Sequence, residues 1–81
     1  MRLDKYLKVS RLIKRRTVAN EACDAGRVLV NGKTARASYD VKENDIIEIS
    51  LGTKPFVVRV LKVAEHVRKD EAGDMYAVEA K

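Results

Sequence analysis

The chain has 81 residues, 46% of them hydrophobic and 36% charged, with 17 basic and 12 acidic side chains and a net charge of +5. Such a length allows one folding unit with a modest core, since a chain of this size buries only about 60% of its unfolded surface, and the hydrophobic fraction excludes disorder. The lone cysteine, Cys23, excludes an internal disulfide, and the lone histidine, His66, leaves no transition-metal ligand set.

Residues 3 to about 9 are predicted as a short helix. Leu3, Tyr6 and Leu7 fall on one side, and Arg2, Lys5 and Lys8 on the other. Continuing that helix would put Leu12 among the cations, so it is expected to end near Val9 to Arg11, with Leu12 and Ile13 turned inward. A second helix is expected from about Arg15 to Ala25. Lys14 stands at its N-cap, Val18, Ala19, Ala22 and Cys23 form its apolar stripe, and Gly26 stops it.

The period then changes from helical to alternating. Arg27 to Val30 reads as a strand, Asn31-Gly32 as a type I′ hairpin turn, and Lys33 to Arg36 as the returning strand. Val41 begins a further extended stretch, Asn44-Asp45 a turn, and Ile47, Ile49 and Leu51 alternate with Glu48 and Ser50. Phe56 to Val63 is a valine-rich strand, 65 to 74 a charged loop, and Met75 to Glu79 a strand pairing back. Helices first and an antiparallel sheet after make an α+β domain. The apolar runs are only a few residues long, and the N-terminus has the cations of a signal peptide without its apolar stretch. A soluble, cytoplasmic protein that meets no membrane is expected.

The charge is concentrated at one end. Arg2, Lys5, Lys8, Arg11, Lys14, Arg15 and Arg16 stand against Asp4 alone, giving residues 1–16 a net +6; ten basic and eleven acidic residues leave the remainder at −1. A polyanion would meet that end, so these seven cations are the candidate nucleic-acid-binding residues. Asp4 reads as a first-turn acid that orients a nearby cation. Tyr6, Tyr39, Phe56 and Tyr76 do not interleave with the cations, which favours a structured RNA over a single strand. A helix-turn-helix DNA binder would carry its cations along the second helix, not before it. Nothing at readable spacing pairs a nucleophile with a base, and no glycine-rich loop cradles phosphate, so neither catalysis nor a cofactor is expected.

The ordered set Arg2-Leu3-Asp4-Lys5-Tyr6-Leu7, Arg15-Arg16, Gly26 to Lys33, Val41 and Asp45 to Ile49 resembles the RNA-binding domain named after small-subunit ribosomal protein S-four. The resemblance implies two N-terminal helices packed on a small antiparallel sheet, the alpha-L RNA-binding motif, with RNA held along the helices. On that basis residues 1–51 are expected to be the RNA-binding domain and 52–81 a C-terminal strand extension completing the sheet. Stand-alone domains of this kind resemble ribosome-associated heat-shock and quality control factors. That likeness implies ribosomal RNA of the large subunit and tRNA as partners, a link to a factor that tails nascent chains with alanine, and a monomeric state. The alternatives are a detached RNA-binding domain of an RNA-modifying enzyme and a general binder of structured RNA.

Overall fold

Leu3, Tyr6 and Leu7 wind onto one side of helix α1 (Leu3–Val9), and all three are fully buried. The computed structural model that shows this describes residues 1–50, 52 and 54–79. The helix stops where predicted. Ser10 is its C-cap and Arg11 follows at φ 63°, a left-handed conformation that suits glycine better. The Arg11 N–H donates to the Lys8 carbonyl at 3.1 Å and the Ile13 N–H to the Leu7 carbonyl at 3.0 Å. Ile13 is thereby buried, and Leu12 packs against the core half-buried.

Helix α2 is Arg16–Asp24, a residue shorter at each end than expected, and its N-cap is Arg15 rather than Lys14. Neither residue type caps well, and no side chain bonds the first turn. At the other end Gly26 has φ 77°, and the N–H groups of Gly26 and Arg27 donate to Cys23 and Ala22, both at 3.0 Å, in a Schellman motif. Ala19, Ala22 and Cys23 are buried as predicted, but Val18 is 42% exposed. At about 100° per residue, a stripe centred on those three leaves Val18 a quarter-turn away, on the outer side.

Among the described residues five strands form one antiparallel sheet: β1 (Val28–Val30), β2 (Lys33–Thr34), β3 (Ile46–Ile49), β4 (Phe56–Val60) and β5 (Tyr76–Val78), in the order β2-β1-β3-β4-β5. Asn31 and Gly32 turn the first hairpin with φ 53° and 85°, as a type I′ turn requires. Asn31 does more: its amide donates to Asp45 at 3.1 Å and its side-chain carbonyl accepts from the Ile46 N–H at 3.0 Å. Asp45 also accepts from Tyr39 Oη and the Lys42 N–H, both at 3.0 Å, which fixes the Asn44-Asp45 turn.

Several strand expectations are corrected. The returning strand is only Lys33–Thr34, with the Ala35 N–H still donating to the Val28 carbonyl at 3.1 Å. Val41 is buried but joins no strand, because its stretch is occupied with the N-terminus: the Leu3 N–H donates to the Tyr39 carbonyl and the Val41 N–H to the Met1 carbonyl, both at 2.8 Å. Strand β4 ends at Val60, not Val63, because the Leu61 and Lys62 N–H groups turn to the Met75 carbonyl at 2.8 and 3.2 Å. The expected loop at 65–74 holds a 3-10 helix, Lys69–Met75, which buries Ala72 and Met75. The predicted inward position of Leu51 lies outside the described residues.

One face of the sheet, carrying Val28, Val30, Ile47, Ile49, Val58 and Val60, joins Leu3, Tyr6, Leu7, Ala19, Ala22 and Cys23 in a single core. Burial pushes the Cys23 thiol up to about 11, with Asp4 and Asp24 adding to the effect, so it packs as a neutral side chain. Tyr6 is fully buried, and its hydroxyl donates to the Met75 carbonyl at 2.7 Å, tying α1 to the segment that enters β5.

Candidate nucleic-acid interface

Helix α1 places Asp4 in its first turn, facing α2, where it is only 2% exposed. Arg16 and Asn20 lie four residues apart on α2, so both reach across from one face. Arg2 closes over the same carboxylate from the residue before α1. Asp4 Oδ1 accepts from the Lys5 N–H at 2.8 Å and from Arg2 Nε at 3.1 Å. Asp4 Oδ2 accepts from Asn20 Nδ2 at 3.2 Å, from Arg2 Nη2 at 3.4 Å and from Arg16 Nε at 3.5 Å.

This buried acid is therefore saturated with donors. Burial on its own would raise its pKa, but the bonds from Arg2 and Asn20, the charge of Arg16 and the Lys5 N–H outweigh that and hold it below the ordinary carboxylate value. The same hydrogen bond raises Arg2. Each guanidinium has five N–H donors, and Asp4 engages at most two of them. Both arginines stay half exposed. Asp4 thus holds two half-exposed guanidinium groups beside one carboxylate, each with N–H donors that Asp4 does not engage; planar groups of this kind suit phosphate oxygens.

The seven predicted residues are not one continuous face. Arg2 and Arg16, with Asp4, Thr17, Asn20 and Glu21, line a cleft of about 450 Å³. Lys8, Arg11 and Lys14 line a second, of about 500 Å³, together with Val9, Glu65, His66 and Val67. Lys5 forms an ion pair with Glu65. Arg15 is exposed at the start of α2 and lines neither cleft. Sequence reasoning passed over Asn20, Glu65 and His66. Asn20 had a usable signal in its i, i+4 spacing from Arg16; Glu65 and His66 had none, being brought to the cations only by the tertiary fold.

Comparison with known proteins places this geometry. A family model, the S4 domain, matches residues 1–47 and so takes in all seven cations. The chain belongs to the S4 domain family. Glu65, His66 and Val67 lie beyond the residues matched to the S4 domain. The RQC P-site tRNA stabilizing factor of Streptococcus pneumoniae is 54% identical over 78 residues, covering 96% of this chain and 89% of that protein. Its namesake in Bacillus subtilis is 50% identical, covering 96% and 91%. Among solved structures, trimeric Heat Shock Protein 15 of Vibrio cholerae superposes with a TM-score of 0.91 at 30% identity, covering 99% of this chain and 82% of that one. The fold is thus shared with that structure over 99% of this chain.

Proposed function

We propose that this S4 protein is a non-catalytic RNA-binding factor of ribosome-associated quality control. It binds ribosomal RNA and peptidyl-tRNA on stalled, split large subunits in the cytoplasm and supports alanine tailing of the nascent chain. The observation that carries the reading is identity near or above 50%, over 96% of the chain, to proteins named for stabilizing P-site tRNA. The geometry supplies a means: Arg2 and Arg16, set side by side on Asp4, would straddle an RNA backbone. Lys8, Arg11 and Lys14 would extend the contact along the turn, with Lys5 and Arg15 adding charge at its margins. Residues 1–51 act as the RNA-binding domain, and 52–81 as the extension that completes the sheet. The protein works as a monomer without a cofactor. Among the described residues no helix is long and apolar enough to cross a membrane.

Sedimentation through a sucrose gradient tests the reading. Under translational stalling the protein is expected in the large-subunit fractions, and the Arg16→Ala variant is expected to shift toward the top. Wild-type protein that stays at the top of the gradient during stalling overturns the ribosomal assignment.

A further inference from the structure

The two clefts differ in chemistry. The one around Asp4 has two arginines and no ring among its lining residues. The other has three cations at its rim and an apolar and aromatic lining of Val9, Val67 and the His66 imidazole. Glu65 also lines it, but its carboxylate is engaged by Lys5, and that ion pair draws residues 65–67 onto α1. Val67 packs against the core from the same segment, so exposed His66 stands between a surface ion pair and a partly buried valine. Arg11 supplies a cation from a left-handed backbone position where glycine would relax the chain. The N-terminal cations, which carry no accessible ring of their own because Tyr6 is buried, thus acquire one from a segment fifty residues away in sequence.

A ring beside phosphate-binding cations is the arrangement that holds an unstacked base. A duplex base hides both faces in its stack, so only an unpaired one can meet the imidazole. About 500 Å³ falls within the range of pockets that enclose one small ligand, not a run of stacked nucleotides. We propose that this cleft seats a single unpaired nucleotide of the bound RNA, its phosphate against Lys8, Arg11 and Lys14 and its base against His66. The inference rests on the RNA-binding reading above and adds to it a preference for a bulge or junction.

Two labelled RNA hairpins test it by fluorescence anisotropy at low salt, one fully paired and one carrying a single bulged nucleotide. The wild-type protein is expected to bind the bulged hairpin about tenfold more tightly, within the range of one base–aromatic stack. His66→Ala should abolish that preference while leaving affinity for the paired hairpin within about twofold; His66→Phe should keep the preference, and thermal melting of both variants checks their folding. Equal wild-type affinity for the two hairpins overturns the nucleotide seat and leaves RNA binding standing. So does a His66→Ala variant that keeps the preference, or one that loses affinity for both hairpins equally. Failure of the wild type to bind either hairpin overturns the RNA reading and the seat with it.

Discussion

Asp4 carries a negative charge into the middle of a cationic surface, and the sign of its effect on RNA affinity discriminates between two roles. If it merely offset the cations, Asp4→Asn would tighten binding to a polyanion. Because it holds Arg2 and Arg16 in place, Asp4→Asn is expected to weaken binding, as are Arg2→Ala and Arg16→Ala, each by about 1–3 kcal/mol in a low-salt titration. Since both arginines bond one carboxylate, the double variant is expected to depart from additivity by at least about 0.5 kcal/mol. Folding stability should follow the same group. A carboxyl held below its unfolded value contributes stability above that value and loses it as pH falls through the folded one. The stability difference between wild type and Asp4→Asn is therefore expected to stay constant from neutral pH down to about 5 and to shrink below the ordinary value of 3.8, as read by denaturant melts along a pH series.

At the scale of the elements, two non-glycine residues in left-handed backbone serve different ends. Asn31 (φ 53°) is structural: it turns the hairpin and bonds both Asp45 and the Ile46 N–H. Asn31→Ala is expected to cost about 2–4 kcal/mol in a chemical melt, and Asn31→Gly, which avoids the steric cost, about half of that. Arg11 (φ 63°) ends α1 with no such side-chain bonds, while its side chain lines the second cleft. Arg11→Gly is therefore expected to stabilise the fold by about 1 kcal/mol while weakening RNA affinity. Stabilisation without any loss of affinity would show that the cation is unused. The hairpin, the end of α1, the glycine stop after α2 and the apolar side of α1 were legible in the sequence because each depends on neighbours a few residues apart. Val18 was misjudged because a stripe of small residues has an edge that periodicity locates only to within a quarter-turn. The end of β4 and the 3-10 helix were not legible, because both depend on Met75, whose carbonyl collects the Leu61 and Lys62 N–H groups across the fold.

For the molecule as a whole, the charge split of +6 in residues 1–16 against −1 elsewhere makes affinity a matter of counterion release. With about five phosphates engaged, log K against log salt is expected to fall with a slope of about −4, and Arg16→Ala should flatten it by about one. All seven candidate cations were legible from that count alone. The division of five of them between two clefts was not, because it depends on Asp4 being buried between the helices and on residues 65–67 arriving from beyond β4. The seven cations are read from the first sixteen residues, yet one cleft they line is completed by residues 65–67, and α1 is tied to the chain as far as Met75. Tyr6 and Met75 are 69 positions apart, and the hydrogen bond between them is closed inside the core. Contacts this distant in sequence form slowly and only after the intervening chain has been made. A nascent chain that has exposed only its cationic helices therefore has the charge without the shape. The Tyr6 hydroxyl gains its acceptor only once Met75 has been made, so the packing that fixes α1 waits on the far end of the sheet.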